Sequence, residues 1–182
     1  MATQTVIKEW NKTTIGKVYS FTSKPRGLEV PVILDFIPME AISERNEHID
    51  KSLIKKVSEI ASGTYVENGD FLVAKITPSF ENGKQGFVSI DSPFAYATTE
   101  VIPIQEIEGL SDKQFIAYWL RQGKIRSVLA GKMEGTTGRQ RLSKTVLANT
   151  QIFLPPLPEQ KAITRVLSTV QDAITEQENL IT

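Results

Sequence analysis

Hydrophobic and polar positions along the first two thirds of the chain alternate in short blocks that are typical of β-strands. Four apolar, β-branched runs are separated by polar residues and turn formers. These predicted strands cover residues 30–37, 70–76, 86–90 and 94–104. The stretch TPSFENGKQG, residues 77–86, is too polar and too rich in glycine for regular structure, and it predicts an exposed loop between two strands.

Helical spacing begins near Ser111. Ser111 and Gln114 have the spacing of a capping box, and the apolar residues after them recur at helical intervals up to Gly131, which predicts the helix end. A second glycine-rich loop, basic as well as polar, is predicted over residues 131–143. We expect a short helix and then a strand after it, at residues 143–148 and 150–154.

The last part of the chain predicts a long helix. Three prolines between Pro155 and Pro158 end the preceding strand, and Pro158 fits a first helical turn because its missing N–H is not needed there. A narrow apolar stripe then recurs in steps of three and four, as in a coiled coil. The stripe consists of Ile163, Val166, Leu167, Val170, Ile174 and Ile181. We expect it to pack against a partner helix, while packing back onto the parent domain remains open.

These patterns together predict an α+β fold. A mixed, β-sheet-rich domain is expected at residues 1–154, followed by a long, coiled-coil-type helix at residues 155–182. The 182 residues include no cysteine, which excludes disulfides and thiolate metal sites. The first residues lack the apolar run of a signal peptide, and no stretch has the length and hydrophobicity of a membrane span. We therefore expect a cytoplasmic protein without a membrane partner.

Charge is balanced over the whole chain, with 21 basic and 21 acidic residues, but it is unevenly distributed. Between Arg121 and Lys144 the only acid is Glu134, and seven cations lie in the same interval. A local basic stripe can bind phosphate even when the molecule is neutral. A solvated helix face followed by a basic loop is the alternative explanation.

No catalytic constellation is visible in the sequence. The single histidine, His48, lies among acidic residues, and no second histidine is present to complete a metal site. The glycine patterns of phosphate loops and dinucleotide sites are missing as well. We therefore expect no metal, no cofactor and no catalytic residue.

The two glycine-rich loops carry the donors and acceptors that can reach base edges in DNA, with cations beside them for the backbone. Amides can pair with adenine, an acid can accept from cytosine, and arginine can contact guanine or phosphate. The candidate DNA-binding residues are Lys24, Arg26, Lys75, Thr77, Ser79, Glu81, Asn82, Lys84, Gln85, Thr136, Thr137, Arg139, Gln140 and Arg141. The alternative is that the glycines only make turns and that Glu81 pairs with Arg141.

Five segments, in order, resemble the specificity subunit of type I restriction-modification systems. They are EWNKTTIGKV, FIPMEAI, ENGDFLVAKITPSFENGKQGFV, GTTGRQRLSKTVL and IFLPPLPEQKAITRVLSTVQDAI. The resemblance covers essentially the whole chain, although Ile-Gly-Lys-Val stands where the family has Leu-Gly-Asp-Val. It implies a target recognition domain followed by a conserved helical region that serves as a spacer.

The resemblance also implies a function and partners. Family subunits carry two recognition domains and two helical regions, so we expect this chain to correspond to half a subunit, with a shortened helix, reading half of a bipartite DNA target. The implied partners are the methyltransferase subunits, through them the restriction subunit, and a second half-subunit or a homodimer joined through the helix. Methylation and cleavage belong to those other subunits. The alternative is a non-catalytic scaffold module whose basic loop binds acidic protein surfaces.

Overall fold

The computed structural model describes residues 9–45, 47–136 and 138–181. Strands and helices occur in the order β1 Asn11–Thr14, α1 Ile15–Val18, β2 Tyr19–Ser20, β3 Ile33–Ile37, β4 His48–Ile49, β5 Leu53–Lys56, β6 Thr64–Glu67, β7 Phe71–Ala74, β8 Gln85–Val88, β9 Phe94–Ala97, β10 Val101–Glu106, α2 Lys113–Arg121, α3 Gly123–Ala130, β11 Glu134–Thr136, β12 Arg139–Arg141, α4 Lys144–Ala148, β13 Gln151–Leu154 and α5 Leu157–Ile181. The α+β class is therefore confirmed.

A five-stranded sheet in the order β2-β10-β7-β8-β4 forms the middle layer of the fold. Successive side chains of a strand point to opposite faces. Phe71 and Val73 accordingly join a core with the helices, while Leu72 joins a second core with the other large sheet. Burial on both faces explains why β7 and β10 are apolar at nearly every position rather than at alternate ones.

The second large sheet has four strands in the order β5-β3-β9-β6. It is mixed, because β3 runs parallel to β9 and antiparallel to β5. The prediction of a single strand at residues 94–104 was wrong. The polar residues Thr98, Thr99 and Glu100 interrupt it, so that β9 belongs to the four-stranded sheet and β10 to the five-stranded one.

The single helix predicted from Ser111 to Gly131 is two helices. Gln122 is extended, with φ −64° and ψ 122°, and it separates α2 from α3. The first cap is Asp112 rather than Ser111, since the Asp112 carboxylate accepts from the backbone N–H groups of Gln114 and Phe115. The end at Gly131 is confirmed.

The structure also contains the short helix and the strand predicted after the second loop. Helix α4 begins after Ser143, whose hydroxyl accepts from the backbone N–H of Val146 at 3.1 Å. Strand β13 follows and pairs antiparallel with β1. The segment that leads into α5 is therefore fixed beside β1.

The base of α5 is attached to the domain. Gln160 is fully buried, and its side chain bonds the backbone of Leu110, Asp112 and Pro155. Ile163 packs against the helical core, so the expectation that it faces a partner helix was wrong. The attachment extends to Ser168, whose hydroxyl lies 3.2 Å from that of Tyr118.

Beyond the base, the apolar stripe is largely uncovered. Val166 is 64% exposed, Val170 53% and Ile174 47%, whereas Leu167 is 39% exposed at the edge of an apolar cleft beside α2. A long C-terminal helix is therefore present, with an apolar face that the described residues leave open. The side chain of Ile181 lies outside the described part of the chain.

Candidate nucleic-acid interface

The two glycine-rich loops lie side by side. The backbone N–H of Thr77 donates to the carbonyl oxygen of Gln140 at 3.0 Å, and that of Leu142 donates to Lys75 at 2.7 Å. Between these bonds, Ile76 and Arg141 form an antiparallel bridge. Segments far apart in sequence are thus joined into one surface, which we call the loop surface, residues 75–84 and 134–141.

The second loop is a β-hairpin rather than an irregular loop. Strands β11 and β12 pair in antiparallel register, with Glu134 opposite Arg141 and Thr136 opposite Arg139. At Gly135, with φ +134°, a Cβ atom would lie 2.6 Å from the carbonyl oxygen of Arg139, so only glycine permits this close pairing. A two-stranded ribbon of this kind fits the major groove of DNA.

Arg141 projects from this hairpin and is held by Glu100. Its Nε and one terminal nitrogen each donate to a different carboxylate oxygen of Glu100, both at 2.9 Å. These hydrogen bonds are the largest cause that lowers the pKa of Glu100, which therefore stays ionised at neutral pH. The alternative pairing of Arg141 with Glu81 is not present, because Glu81 accepts from the Thr77 hydroxyl at 2.9 Å.

The first loop is held from behind by a buried arginine. Arg126, 8% exposed, donates to the carbonyl oxygen of Phe80, to Oε1 of Gln85 at 2.9 Å and to the carbonyl oxygen of Leu120 at 2.8 Å. Burial is the main cause that lowers its pKa. Arg126 belongs to the predicted basic stripe, but in the structure it supports the loop and does not face solvent.

Gln85 corrects one of the predicted DNA contacts. Its side chain is 1% exposed, and both ends are used inside the protein: Nε2 donates to the carbonyl oxygen of Ala117 at 2.9 Å, and Oε1 accepts from Arg126. A base edge cannot reach it in this position. Gln85 therefore supports the loop from within the core.

The other candidates on the first loop differ in how free they are. Glu81 and Asn82 are exposed, and Thr77 and Ser79 are half-buried. Lys84 is also half-buried, and its Nζ donates to the carbonyl oxygen of Met39 at 3.1 Å. The exposed end of this loop thus consists mainly of residues 81 and 82.

On the hairpin, Thr136 and Arg139 are exposed and Gln140 is half-buried, whereas Thr137 lies outside the described residues. Lys24 and Arg26 are exposed on the long segment between β2 and β3. Lys24 Nζ lies 5.8 Å from the ring centroid of Tyr96, which belongs to the four-stranded sheet.

A cleft of about 460 Å³ adjoins the hairpin. Lys75, Arg141 and Lys144 line it together with Thr22 and the apolar residues at the start of β10. Lys144 Nζ also lies 4.9 Å from the ring centroid of Phe21. The two lysines give this edge of the loop surface the positive charge that a phosphate backbone requires.

Sequence reasoning missed two residues that shape the loop surface. Glu100 lay inside a run predicted as one continuous strand, and an acid in an apolar run was the available signal that the strand ends there. The sequence predicts Arg126 only as one cation of the basic stripe, because its neutral acceptors come from segments distant in sequence.

The described residues show neither a metal-binding cluster nor a membrane-spanning helix. No group of three or more histidine, aspartate or glutamate side chains in these ranges could hold a metal ion. Within the same part of the chain, no helix combines the length and the hydrophobicity needed to cross a membrane.

Comparison with solved structures supports the fold. The chain superposes on the HsdS subunit from Thermoanaerobacter tengcongensis with a TM-score of 0.74 at 18% identity, covering 94% of this chain and 44% of that one. The type I restriction-modification S subunit from M. genitalium gives a TM-score of 0.57 at 18% identity, covering 100% and 44%.

Sequence comparison finds curated relatives in Escherichia coli. The specificity subunits of the type I restriction enzymes EcoAI and EcoEI are 28% and 29% identical over 156 and 161 residues, which is 85% and 87% of this chain. The matches span 26% and 27% of those proteins, so the chain covers about a quarter of their length. Residues 8–181 match the family described as the type I restriction modification DNA specificity domain. The chain belongs to that family.

Proposed function

We propose that this chain reads one half of a bipartite DNA target for a type I restriction-modification complex. The observation that carries the proposal is the pairing of Thr77 with Gln140 and of Lys75 with Leu142, which joins two polar, glycine-rich segments into one surface. Base reading requires several short polar side chains on a rigid support, with cations beside them. The loop surface and the adjoining cleft have this composition.

In this role the two loops have different tasks. The hairpin β11–β12 enters the major groove, where Thr136, Arg139 and Arg141 face base edges or the adjacent phosphates. Glu81 and Asn82 read from the first loop. Lys24, Arg26 and Lys75 contribute backbone contacts, which supply affinity but no sequence information.

The chain has no catalytic activity of its own in this proposal. The partners are methyltransferase subunits and, through them, a restriction subunit. Such a complex acts on DNA in the cytoplasm.

Helix α5 serves as a spacer and a dimerisation element, and the recognition domain ends near residue 154. Two observations support this division: Gln160 fixes the base of the helix to the domain, while Val166, Val170 and Ile174 stay exposed on its outer half. Paired antiparallel with a second copy or with the other half of a full subunit, the helix would set the distance between two recognition domains.

Binding of the chain to a randomised duplex library at several salt concentrations tests the function. We expect one sequence to be enriched at both about 50 mM and about 200 mM salt, while affinity for all DNA falls steeply as salt rises, because phosphate contacts release counterions. Weak binding without sequence preference would instead support the scaffold alternative.

A pair of matched variants places the contacts on the loop surface. Arg139→Gln should weaken DNA binding and lower the salt slope by about one. Lys56→Gln removes the same charge from β5, an edge strand of the four-stranded sheet, and should leave binding unchanged. Equal effects of the two variants would show that overall charge, and not the loop surface, carries the binding.

A further inference from the structure

We propose that Arg141 reads a guanine and that Glu100, which is not among the predicted site residues, positions it for that contact. The inference rests on the proposed function and adds the identity of a base and the residue that selects it. Its starting point is the bidentate pair, in which Arg141 Nε donates to Oε2 and a terminal nitrogen donates to Oε1 of Glu100, each at 2.9 Å.

The pair leaves one edge of the guanidinium free. Arginine has five N–H donors in a planar fork. Glu100 occupies the side edge, formed by Nε and Nη2, and the end edge, formed by Nη1 and Nη2, still has a hydrogen on each nitrogen. No described residue accepts from Nη1, and the side chain is 49% exposed. This end edge has the spacing that matches O6 and N7 of guanine in the major groove.

Both partners are fixed to the core through their backbones. Leu142, next to Arg141, is fully buried and donates to the carbonyl oxygen of Lys75 at 2.7 Å. The N–H of Lys75 in turn donates to the carbonyl oxygen of Glu100 at 2.9 Å. Since the backbones of Glu100 and Arg141 are tied to the same short segment, the guanidinium is oriented before DNA arrives, and less side-chain entropy is lost on binding.

Charge favours guanine over phosphate as the ligand. The Glu100–Arg141 pair is neutral overall, and the carboxylate repels an approaching phosphate oxygen. The acceptors of guanine carry no formal charge, so they gain the directed hydrogen bonds of the arginine without that repulsion. Arg139 lies two positions along the same strand face and forms no ion pair with any described residue, which makes it the hairpin cation suited to phosphate.

Selection from the randomised library, repeated with three variants of the full chain, tests the inference. Arg141→Lys keeps the charge but cannot form the planar fork. Glu100→Gln removes the acid that orients Arg141. Glu108→Gln is the matched control, because Glu108 is exposed after the end of β10, carries the same charge as Glu100 and lies outside the loop surface. Thermal unfolding of each variant reports whether it is folded.

We expect the parent chain to select guanine at one position, and Arg141→Lys to reduce that preference at least about five-fold, leaving the other positions unchanged. Glu100→Gln should weaken the same preference and raise affinity for random DNA, whereas Glu108→Gln should leave the preference intact.

Three results would overturn the inference. A uniform loss of affinity in Arg141→Lys, with the selected sequence unchanged, would assign Arg141 to a phosphate. Equal relaxation in Glu100→Gln and Glu108→Gln would show a charge effect without positioning by Glu100. Enrichment of no sequence by the parent chain would reject the proposed function itself, and this inference with it, which separates that failure from the other two.

Discussion

The side chain of Gln160 joins three separate pieces of backbone. Its Oε1 accepts from the N–H of Asp112 at 2.9 Å, and its Nε2 donates to the carbonyl oxygens of Leu110 at 3.1 Å and Pro155 at 2.8 Å. The side chain is fully buried, and its bond to Pro155 lies in the interior of the protein. Beside it, Trp10 Nε1 donates to Oε1 of Glu159 at 3.0 Å. The Glu-Gln pair after the prolines is therefore the anchor of α5.

Replacement of this amide by an apolar side chain of similar length should destabilise the domain. Gln160→Met removes the protein partners of one N–H and two carbonyl groups, and we expect the free energy of unfolding to fall by about 2–4 kcal/mol. Urea unfolding followed by circular dichroism measures the change. The same substitution at the exposed Gln177 should alter stability by less than about 0.5 kcal/mol. A similar loss at both positions would contradict the role of Gln160 as anchor.

Residue types predicted the chemistry of the loops better than the exposure of individual side chains. The sequence predicts Gln85 and Arg126 as surface groups, yet both are buried. Each satisfies hydrogen bonds of the other, and main-chain carbonyl oxygens accept the rest. Such a match between distant residues has no local signature. Arg139 and Asn82, which have no partner of this kind in the described structure, are exposed as expected.

Among the elements, α5 combines an anchored base with an outer half that has an uncovered apolar face. Val166, Val170 and Ile174 recur every four residues along that half. Isolated exposed apolar residues are common, but a continuous stripe on one helix face indicates an interaction site.

Polar substitutions on this face should prevent self-association. The double variant Val170→Gln with Ile174→Gln removes two exposed apolar side chains, so we expect little change in unfolding but loss of dimer in sedimentation equilibrium. The control, Arg165→Gln with Asp172→Gln, keeps the net charge and changes the opposite face of the helix. Dimers that persist in the first variant, or a parent chain that stays monomeric at every concentration, would refute self-association through this face.

Element type was predictable from periodicity, whereas the breaks between elements were not. The run at residues 94–104 has uniform strand propensity, and its division depends on which sheet each half pairs with. The helical pattern from Ser111 to Gly131 likewise hides the extended residue Gln122, because the apolar spacing continues across it. Long-range pairing decides both breaks, and local sequence does not record it.

At the scale of the whole molecule, the loop surface and α5 are both attached to the same core of sheets and helices. The middle sheet has the helical core on one face and the four-stranded sheet on the other. The loop surface begins after β7 and includes the hairpin β11–β12. Helix α5 is attached through α2 and β13. In the proposed spacer role, a change in the length of α5 beyond its anchored base would change how far a second recognition domain lies from the first.

A seven-residue insertion after Val170 tests this geometry. It keeps the phase of the apolar stripe and lengthens the helix by about 10 Å at 1.5 Å per residue. In the assembly proposed to form through α5, the preferred separation between half-sites should rise by about three base pairs, at 3.4 Å each. Selection with variable spacers between half-sites measures it. An unchanged separation with intact binding would exclude the spacer role.

The hydrogen bonds from Arg126 to the first loop determine which residues of that loop can vary. Arg126 donates to the main-chain oxygen of Phe80 and to the side-chain amide oxygen of Gln85, and it makes no hydrogen bond to the described side chains of Glu81 or Asn82. Every amino acid supplies a main-chain oxygen. The residues at the tip can therefore be replaced while the hydrogen bonds from Arg126 are kept. In the proposed function, point substitutions at residues 81 and 82 would therefore change the target sequence while the support of the loop stays intact.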